Sequence, residues 1–358
     1  MPERFLEYVW NSDATAAKLA RVALAPASWL FRAGVAARNA AYDRGRFPTY
    51  ALALPAICVG NLSLGGTGKT PVAAWIARRL RERGATPAIV LRGYGGDEAL
   101  VHERLNPDIR VIADADRVRG VARAREAGAT VAVLDDGFQH RRARRDADMV
   151  LLSADDACVA RPLPAGPWRE PLSALARATM IVVTRKYASM EEAEALLARA
   201  RRHAPLAAGA IIALSADELV EATTGERASV RSLAGHDVLA ISAVGNPRAF
   251  ESQLRALGAR VSSASYPDHH RFTVAEVALQ SRRARGHDWV VCTLKDAVKL
   301  ANMWPRATSP LWYLSQRISV EAGGAEVDHL LARFALPGAP HVHTTPAVAG
   351  PNIDRNAS

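Results

Sequence analysis

From residue 56 onward the chain alternates short apolar runs with stretches of helical periodicity. Residues 56–60 are apolar and end in Gly60, which reads as a buried strand. A glycine-rich turn follows, and 71–83 then carries apolar positions at helical spacing. Further strands are expected at 88–91, around Val111 and Ile112, and at 131–134, 149–152 and 180–183. Helical patterns lie between several of these, notably at 117–127 and 190–204. Strands alternating with helices predict a mostly parallel sheet flanked by helices on both faces, an α/β fold. A second, smaller α/β unit is expected from about residue 207, with strands at 238–242, 261–265 and 289–293 and helices at 248–257 and 273–285. The expected organisation is therefore 1–206, 207–336 and a tail, 337–358, rich in Pro, Ala, Thr and Asn and expected to lack order.

The first 47 residues read as helix, with Leu19, Val22, Leu24, Trp29, Leu30, Phe31 and Val35 mixed with Lys18, Arg21, Arg32 and Arg38. Pro26 is expected to divide this helix in two. Such a basic amphipathic segment either packs on the core or lies in a membrane interface. The net charge of +10 over 358 residues points to an anionic partner, and leaves nucleic acid, an acidic membrane surface and a phosphorylated substrate all open. Cys58, Cys158 and Cys292 are far apart and form neither a disulfide framework nor a zinc motif. No apolar run is long enough to span a bilayer, and the N-terminus lacks the order of a secretory signal.

The sharpest chemical signal is the run Gly60-Asn-Leu-Ser-Leu-Gly65-Gly66-Thr67-Gly68-Lys69-Thr70-Pro71. It follows an expected strand and opens an expected helix, the context a P-loop requires. The backbone N–H groups of Gly65, Gly66, Thr67 and Gly68 can turn toward phosphate oxygens, and the helix N-terminus adds its positive end. Lys69 is placed to reach the β- and γ-phosphates of ATP, and the Thr70 hydroxyl to bind Mg²⁺. The strict pattern has a further glycine where this chain has Ser63. Asp135 and Asp136 close the apolar strand at 131–134, and paired carboxylates there suit Mg²⁺ beside a P-loop. Read alone, Asp97 after Gly95-Gly96 is equally a turn residue, and His269-His270 fits no zinc spacing.

Further motifs follow in order. They are Arg92-Gly-Tyr-Gly, Leu134-Asp-Asp-Gly-Phe-Gln-His140, Leu163-Pro-Ala-Gly-Pro-Trp-Arg169-Glu170-Pro171, Gly245-Asn-Pro247, Pro267-Asp-His-His270 and Lys295-Asp-Ala-Val-Lys299. With the glycine-rich run, these resemble the tetraacyldisaccharide 4′-kinase family of lipid A biosynthesis, from about Ala56 to Lys299. The resemblance implies an ATP- and Mg²⁺-dependent kinase acting on the 4′-hydroxyl of a lipid A disaccharide 1-phosphate. It implies a site between the two units, and peripheral attachment to the cytoplasmic face of the inner membrane through the N-terminal helix. Residue by residue, it implies Asp97 as base paired with His269, and Lys69 and Arg169 on the phosphates. Thr70, Glu98, Asp135, Asp136 and Glu170 would then be associated with Mg²⁺. Two departures stand out: Arg92 runs almost directly into Asp97, and Leu294 stands where relatives commonly have Glu.

Other classes fit less well. A GTPase needs an acidic guanine-reading element, which Thr184-Arg-Lys-Tyr187 lacks. A nucleic-acid ATPase should cluster its basic residues with aromatics, whereas here they are spread. A binding module with a vestigial P-loop would not need Lys69, Thr70, Asp135 and Asp136 intact.

Overall fold

The computed structural model describes residues 3–93, 96–156 and 160–335. The tail at 337–358, with Tyr94, Gly95 and Cys158, lies outside the described residues. Two helices, α1 (Glu3–Asn11) and α2 (Thr15–Asp43), precede the sheet. A short strand, β1 (Tyr50–Ala51), then leads into the P-loop strand β2 (Ala56–Asn61) and helix α3 (Lys69–Glu82). The order continues with β3 (Pro87–Leu91), α4 (Asp97–Leu105), β4 (Arg110–Ala113), α5 (Arg117–Glu126), β5 (Val131–Asp135), β6 (Ala143–Arg144) and β7 (Ala147–Ser153). After it come β8 (Met180–Arg185), α6 (Met190–Arg201), β9 (Ala208–Glu221), β10 (Arg227–Ser229), β11 (Asp237–Ser242), α7 (Pro247–Ala256) and β12 (Arg260–Ser265). The last are α8 (Val274–Ala284), β13 (Trp289–Cys292), α9 (Leu294–Leu300), β14 (Leu311–Ala322) and α10 (Gly324–Ala335).

One sheet runs through both halves of the molecule, in the order β12-β11-β13-β14-β9-β8-β7-β2-β5-β3-β4. β2, β3 and β5 are buried at every position, and β8 at all but its last, as strands covered by helices on both faces must be. From β4 to β9 all pairings are parallel. β9 then pairs antiparallel with β14, and β13, β11 and β12 run parallel to β14. That antiparallel pairing reverses the second set of strands. The carboxyl ends of the two sets therefore face each other along β9. β8 ends beside Ala213 and β13 ends at the level of Val220. About seven residues of strand, roughly 23 Å, separate the facing ends. Ligands of open α/β sheets bind outside the carboxyl ends of strands, and here two such edges enclose one cleft.

The expected boundary at residue 207 falls at the start of β9, which pairs with strands of both halves. The final helix α10 returns to the first half, where Val327, Leu330, Leu331 and Phe334 join Val72, Ile76 and Leu80 of α3 in one buried cluster. The expected helix break at Pro26 is not seen: α2 continues through it, and the chain breaks instead between Asn11 and Thr15. An interior proline costs a helix about 3 kcal/mol, and contacts along α2 offset this. Ser28 Oγ donates to Pro162 O and accepts from Ala165 N, at 3.2 and 3.1 Å. Asn39 and Arg141 tie the far end of the helix to the 170 and 141 segments. Leu294 opens α9 and packs on the buried cluster of the second half that includes Phe272 and Trp304.

Candidate active site

The phosphate cradle is built by the turn from β2 into α3. Gly68 caps α3 in the left-handed region at φ 82°, and an added Cβ would lie 2.5 Å from Leu214 Cδ1. Gly60 lies so close to the following acidic turn that its Cβ would stand 2.6 Å from Phe138 Cβ. Thr67 is buried; its Oγ1 accepts from Asn61 Nδ2 at 2.9 Å and its carbonyl from Thr184 Oγ1 at 3.0 Å. Ser63 needs no glycine, because it bridges antiparallel to Trp168. Leu64 N donates to Pro167 O, and Arg169 N to Leu62 O, both at 2.7 Å. The loop is thus stitched to the 162–170 segment, while Gly65 and Gly66 remain exposed at its tip.

Charged side chains ring this turn. Lys69 Nζ lies 3.9 Å from Asp136 Oδ1, and Arg169 Nη1 donates to Asp136 Oδ2 at 3.1 Å. Arg169 also donates to Asn61 Oδ1 and Gln139 Oε1, each at 3.2 Å. Burial pulls the Lys69 ammonium below its ordinary value, with Asp136 opposing. Burial pushes the Asp136 carboxyl up, but Lys69 and Arg169 outweigh it and hold the group below the usual carboxylate range. A cation pulled down by burial gains from added negative charge, as triphosphate would supply. Asp136 sits at φ 52°, in the left-handed region that Asp tolerates better than most residues.

Asp135 and Asp136 each keep one buried oxygen, Oδ1, with no hydrogen-bond partner among the described residues. Glu98 faces the same pocket, and burial together with the Asp135 charge raises its carboxyl above the ordinary value. These are the hard oxygen donors a divalent cation takes, and Thr70 is the second residue of α3. Protein side chains alone do not complete a cage, since no group of three His, Cys, Asp or Glu side chains converges among the described residues. That suits Mg²⁺, which keeps several waters and binds through one or two carboxylates plus phosphate oxygens. Glu170 also keeps one buried oxygen, Oε1, without a hydrogen-bond partner among the described residues, while its other oxygen is engaged. Its Oε2 accepts from Asn39 Nδ2 at 2.8 Å and from Arg177 Nη2 at 2.7 Å, so it anchors α2 behind the cradle.

Asp97 and His269 come together across the cleft. Asp97 opens α4, four per cent exposed, and His269 Nδ1 lies 2.9 Å from its Oδ2 and 3.2 Å from its Oδ1. Burial pushes the Asp97 carboxyl up, but the bond from His269 and its charge outweigh it, leaving the group below its ordinary value. The same bond, working against burial, raises the His269 imidazole above its own ordinary value. His269 sits at φ 54°, in the left-handed region that His, Asn and Asp tolerate best. Lys295 lies close enough to act on the charges of Asp97, Glu98 and His269. Asp296 beside it is fully buried and accepts from Ala243 N and Thr293 Oγ1 at 3.0 and 2.7 Å, holding the loop after β11 against α9.

One residue of the site escaped the sequence reading. His102 is fully buried on α4, and its Nε2 lies 2.8 Å from Asp135 Oδ2. The available signal was its spacing, since His102 follows Glu98 by one helical turn and shares its face.

Comparison with known proteins places the chain in a family. The family model described as Tetraacyldisaccharide-1-P 4′-kinase matches residues 20–101 and 95–335. The two matched stretches meet at 95–101, where Arg92 runs almost directly into Asp97. The chain is 38% identical over 335 residues to the tetraacyldisaccharide 4′-kinase of Anaeromyxobacter dehalogenans (strain 2CP-C), covering 82% of this chain and 86% of that one. It is 36% identical to that of Anaeromyxobacter sp. (strain K), covering 95% and 98% respectively. Its fold is similar to the crystal structure of LpxK from Aquifex aeolicus in complex with ATP. The TM-score is 0.68 at 28% identity, over 88% of this chain and 99% of that one. On the family match, the extent of the relatives and the shared fold, this chain belongs to the tetraacyldisaccharide 4′-kinase family.

Proposed function

We propose that this protein transfers the γ-phosphate of ATP to the 4′-hydroxyl of a tetraacyldisaccharide 1-phosphate, the phosphorylation that carries a lipid A precursor forward. The observation that carries this reading is the meeting of a phosphate cradle with an Asp–His pair, its Asp buried and its His partly exposed, across facing strand ends. The cradle N–H groups and Lys69 bind and orient the β- and γ-phosphates. Arg169, held by Asn61, Gln139 and Asp136, offsets charge that builds on the transferring group. Thr70, Asp135 and Asp136, with Glu98 nearby, would hold Mg²⁺, whose bound charge neutralises the phosphate oxygens. Asp97 accepts the proton of the attacking sugar hydroxyl, and His269 keeps that carboxylate ionised and oriented. Glu170 acts from behind by fixing α2 against the cradle.

The N-terminal helices supply the contact with a lipid surface. Val22, Trp29 and Leu30 are 71%, 69% and 76% exposed, and Arg32 lies 6.0 Å from the Trp29 ring centroid. Among the described residues no helix is long and apolar enough to cross a membrane. The reading is therefore of a helix lying on an anionic bilayer, at the cytoplasmic face of the inner membrane, with its apolar side inserted. The test is transfer from γ-labelled ATP to purified tetraacyldisaccharide 1-phosphate in detergent micelles with Mg²⁺. A product phosphorylated at the 4′ position, absent for Lys69→Ala, is expected. ATP binding without any transfer would sink the substrate assignment.

A further inference from the structure

We infer that His102 is a positioning residue that aims the Asp135 carboxylate at the cation and locks helix α4 to the end of β5. The inference rests on the proposed reading of Asp135 as a cation-binding group. α4 starts with Asp97 and Glu98, and His102 lies one turn after Glu98 on the face toward β5. The imidazole is wholly buried, Asp135 is three per cent exposed, and 2.8 Å separates Nε2 from Oδ2. An ionised carboxylate only accepts, so Nε2 carries the proton and donates. His102 Nδ1 is left buried without a partner among the described residues, and so is Asp135 Oδ1. The hydrogen bond therefore occupies one oxygen of Asp135 and fixes the rotation of the carboxylate, leaving the second oxygen free for a cation.

The backbone of Asp135 is held as well: Arg117, itself buried, donates from Nη2 to the Asp135 carbonyl at 3.4 Å and from Nη1 to Asp114 O at 2.9 Å. With main chain and side chain both fixed, the free oxygen has one direction available. The same bond has a second effect, because the helix that carries His102 also carries Asp97, which His269 of the other half engages. His102 thus sets the distance between the group that receives the hydroxyl proton and the groups that hold the phosphates. Partners that orient a ligating carboxylate typically change metal affinity or activity 10- to 100-fold when removed.

The test compares His102→Leu, which removes the donor, with His102→Gln, which keeps an N–H at the same reach. Mn²⁺ binding to the complex with a non-hydrolysable ATP analogue is read by electron paramagnetic resonance, and kcat and KM for the lipid acceptor are measured alongside. His102→Leu is expected to weaken Mn²⁺ binding roughly tenfold and to lower kcat with little change in lipid KM. His102→Gln is expected to restore Mn²⁺ affinity to within about threefold. A folded leucine variant with unchanged Mn²⁺ affinity overturns the inference, and so does a folded glutamine variant as weak as leucine. Should the leucine variant not fold, glutamine decides alone, near-native affinity sustaining the role and a tenfold loss ending it. Wild-type protein that binds no Mn²⁺ with the analogue would instead remove the reading of Asp135 on which the inference stands.

Discussion

The phosphate cradle draws all its side chains from one half of the sheet, whereas the Asp97–His269 pair takes one residue from each half. Asn61, Thr67, Lys69, Asp136, Arg169 and Thr184 are joined by a closed set of hydrogen bonds and ion pairs, all between β2 and β8. The acceptor side rests on one Asp–His contact that spans 172 positions of sequence. The difference teaches that nucleotide binding and phosphate transfer have separate structural requirements. On the proposed reading, the groups that bind ATP lie in the first half, while the proposed proton acceptor Asp97 is engaged by His269 from the second.

Variants that act on one side only sharpen this contrast. Removing the Lys69 ammonium should have the largest effect, since it withdraws charge from the transferring group itself. Lys69→Ala is expected to lower transfer at least a thousandfold in the labelled-ATP assay. Equal loss from a conservative change in the second half would blur the contrast.

A smaller effect is expected from His269→Asn, a choice the left-handed backbone tolerates. Turnover should fall roughly 10- to 100-fold, less than the full contribution of the base. The variant also has a pH signature in thermal unfolding. A raised imidazole stabilises the fold fully below its unfolded value near 6.5, and that stability is lost as pH rises through the folded value. A depressed carboxyl stabilises above its unfolded value near 3.9, and that stability is lost as pH falls through the folded value. The difference in Tm between wild type and variant should therefore be widest between about pH 4 and 6.5 and shrink above the raised imidazole value. Because His269 is partly exposed, the difference should be no more than roughly 1–3 °C. A difference that grows with alkaline pH would contradict the pairing.

The mildest effect should come from the lipid-facing helix, which touches neither side of the reaction. Replacing Val22, Trp29 and Leu30 together by Ser removes exposed apolar area without touching the core. Flotation with vesicles containing anionic lipid should show binding weakened about tenfold or more. Transfer to a substrate dispersed in detergent should change little.

What the sequence revealed follows the same division. The cradle was legible because its parts are local: an apolar strand, glycines, Lys69-Thr70 and a helix lie within one stretch of chain. Asp135 and Asp136 were legible for the same reason, as the end of an apolar run. The cleft was not legible from periodicity. β9 and β14 each open on an apolar run, 208–214 and 311–314, but continue into polar residues with mixed exposure, so their full lengths do not show in the apolar pattern. Their antiparallel pairing, which turns two sets of strand ends toward each other, has no local signature. α10 likewise belongs to the core of the first half although it closes the described chain. His102 carried only the weak local signal of its spacing from Glu98, because its partner Asp135 lies 33 positions away. Glu170 shares a motif with Arg169, yet its side chain bonds Asn39 of α2 while Arg169 bonds Asn61, Asp136 and Gln139.

The most direct test of the divided site is Asp97→Asn, with ATP affinity by calorimetry and turnover on the lipid acceptor measured on the same preparation. The account predicts turnover lowered at least a hundredfold with ATP affinity within about threefold of wild type. Full turnover would remove Asp97 as the base, and a parallel collapse of ATP affinity would show that the two sides of the cleft are one structure after all.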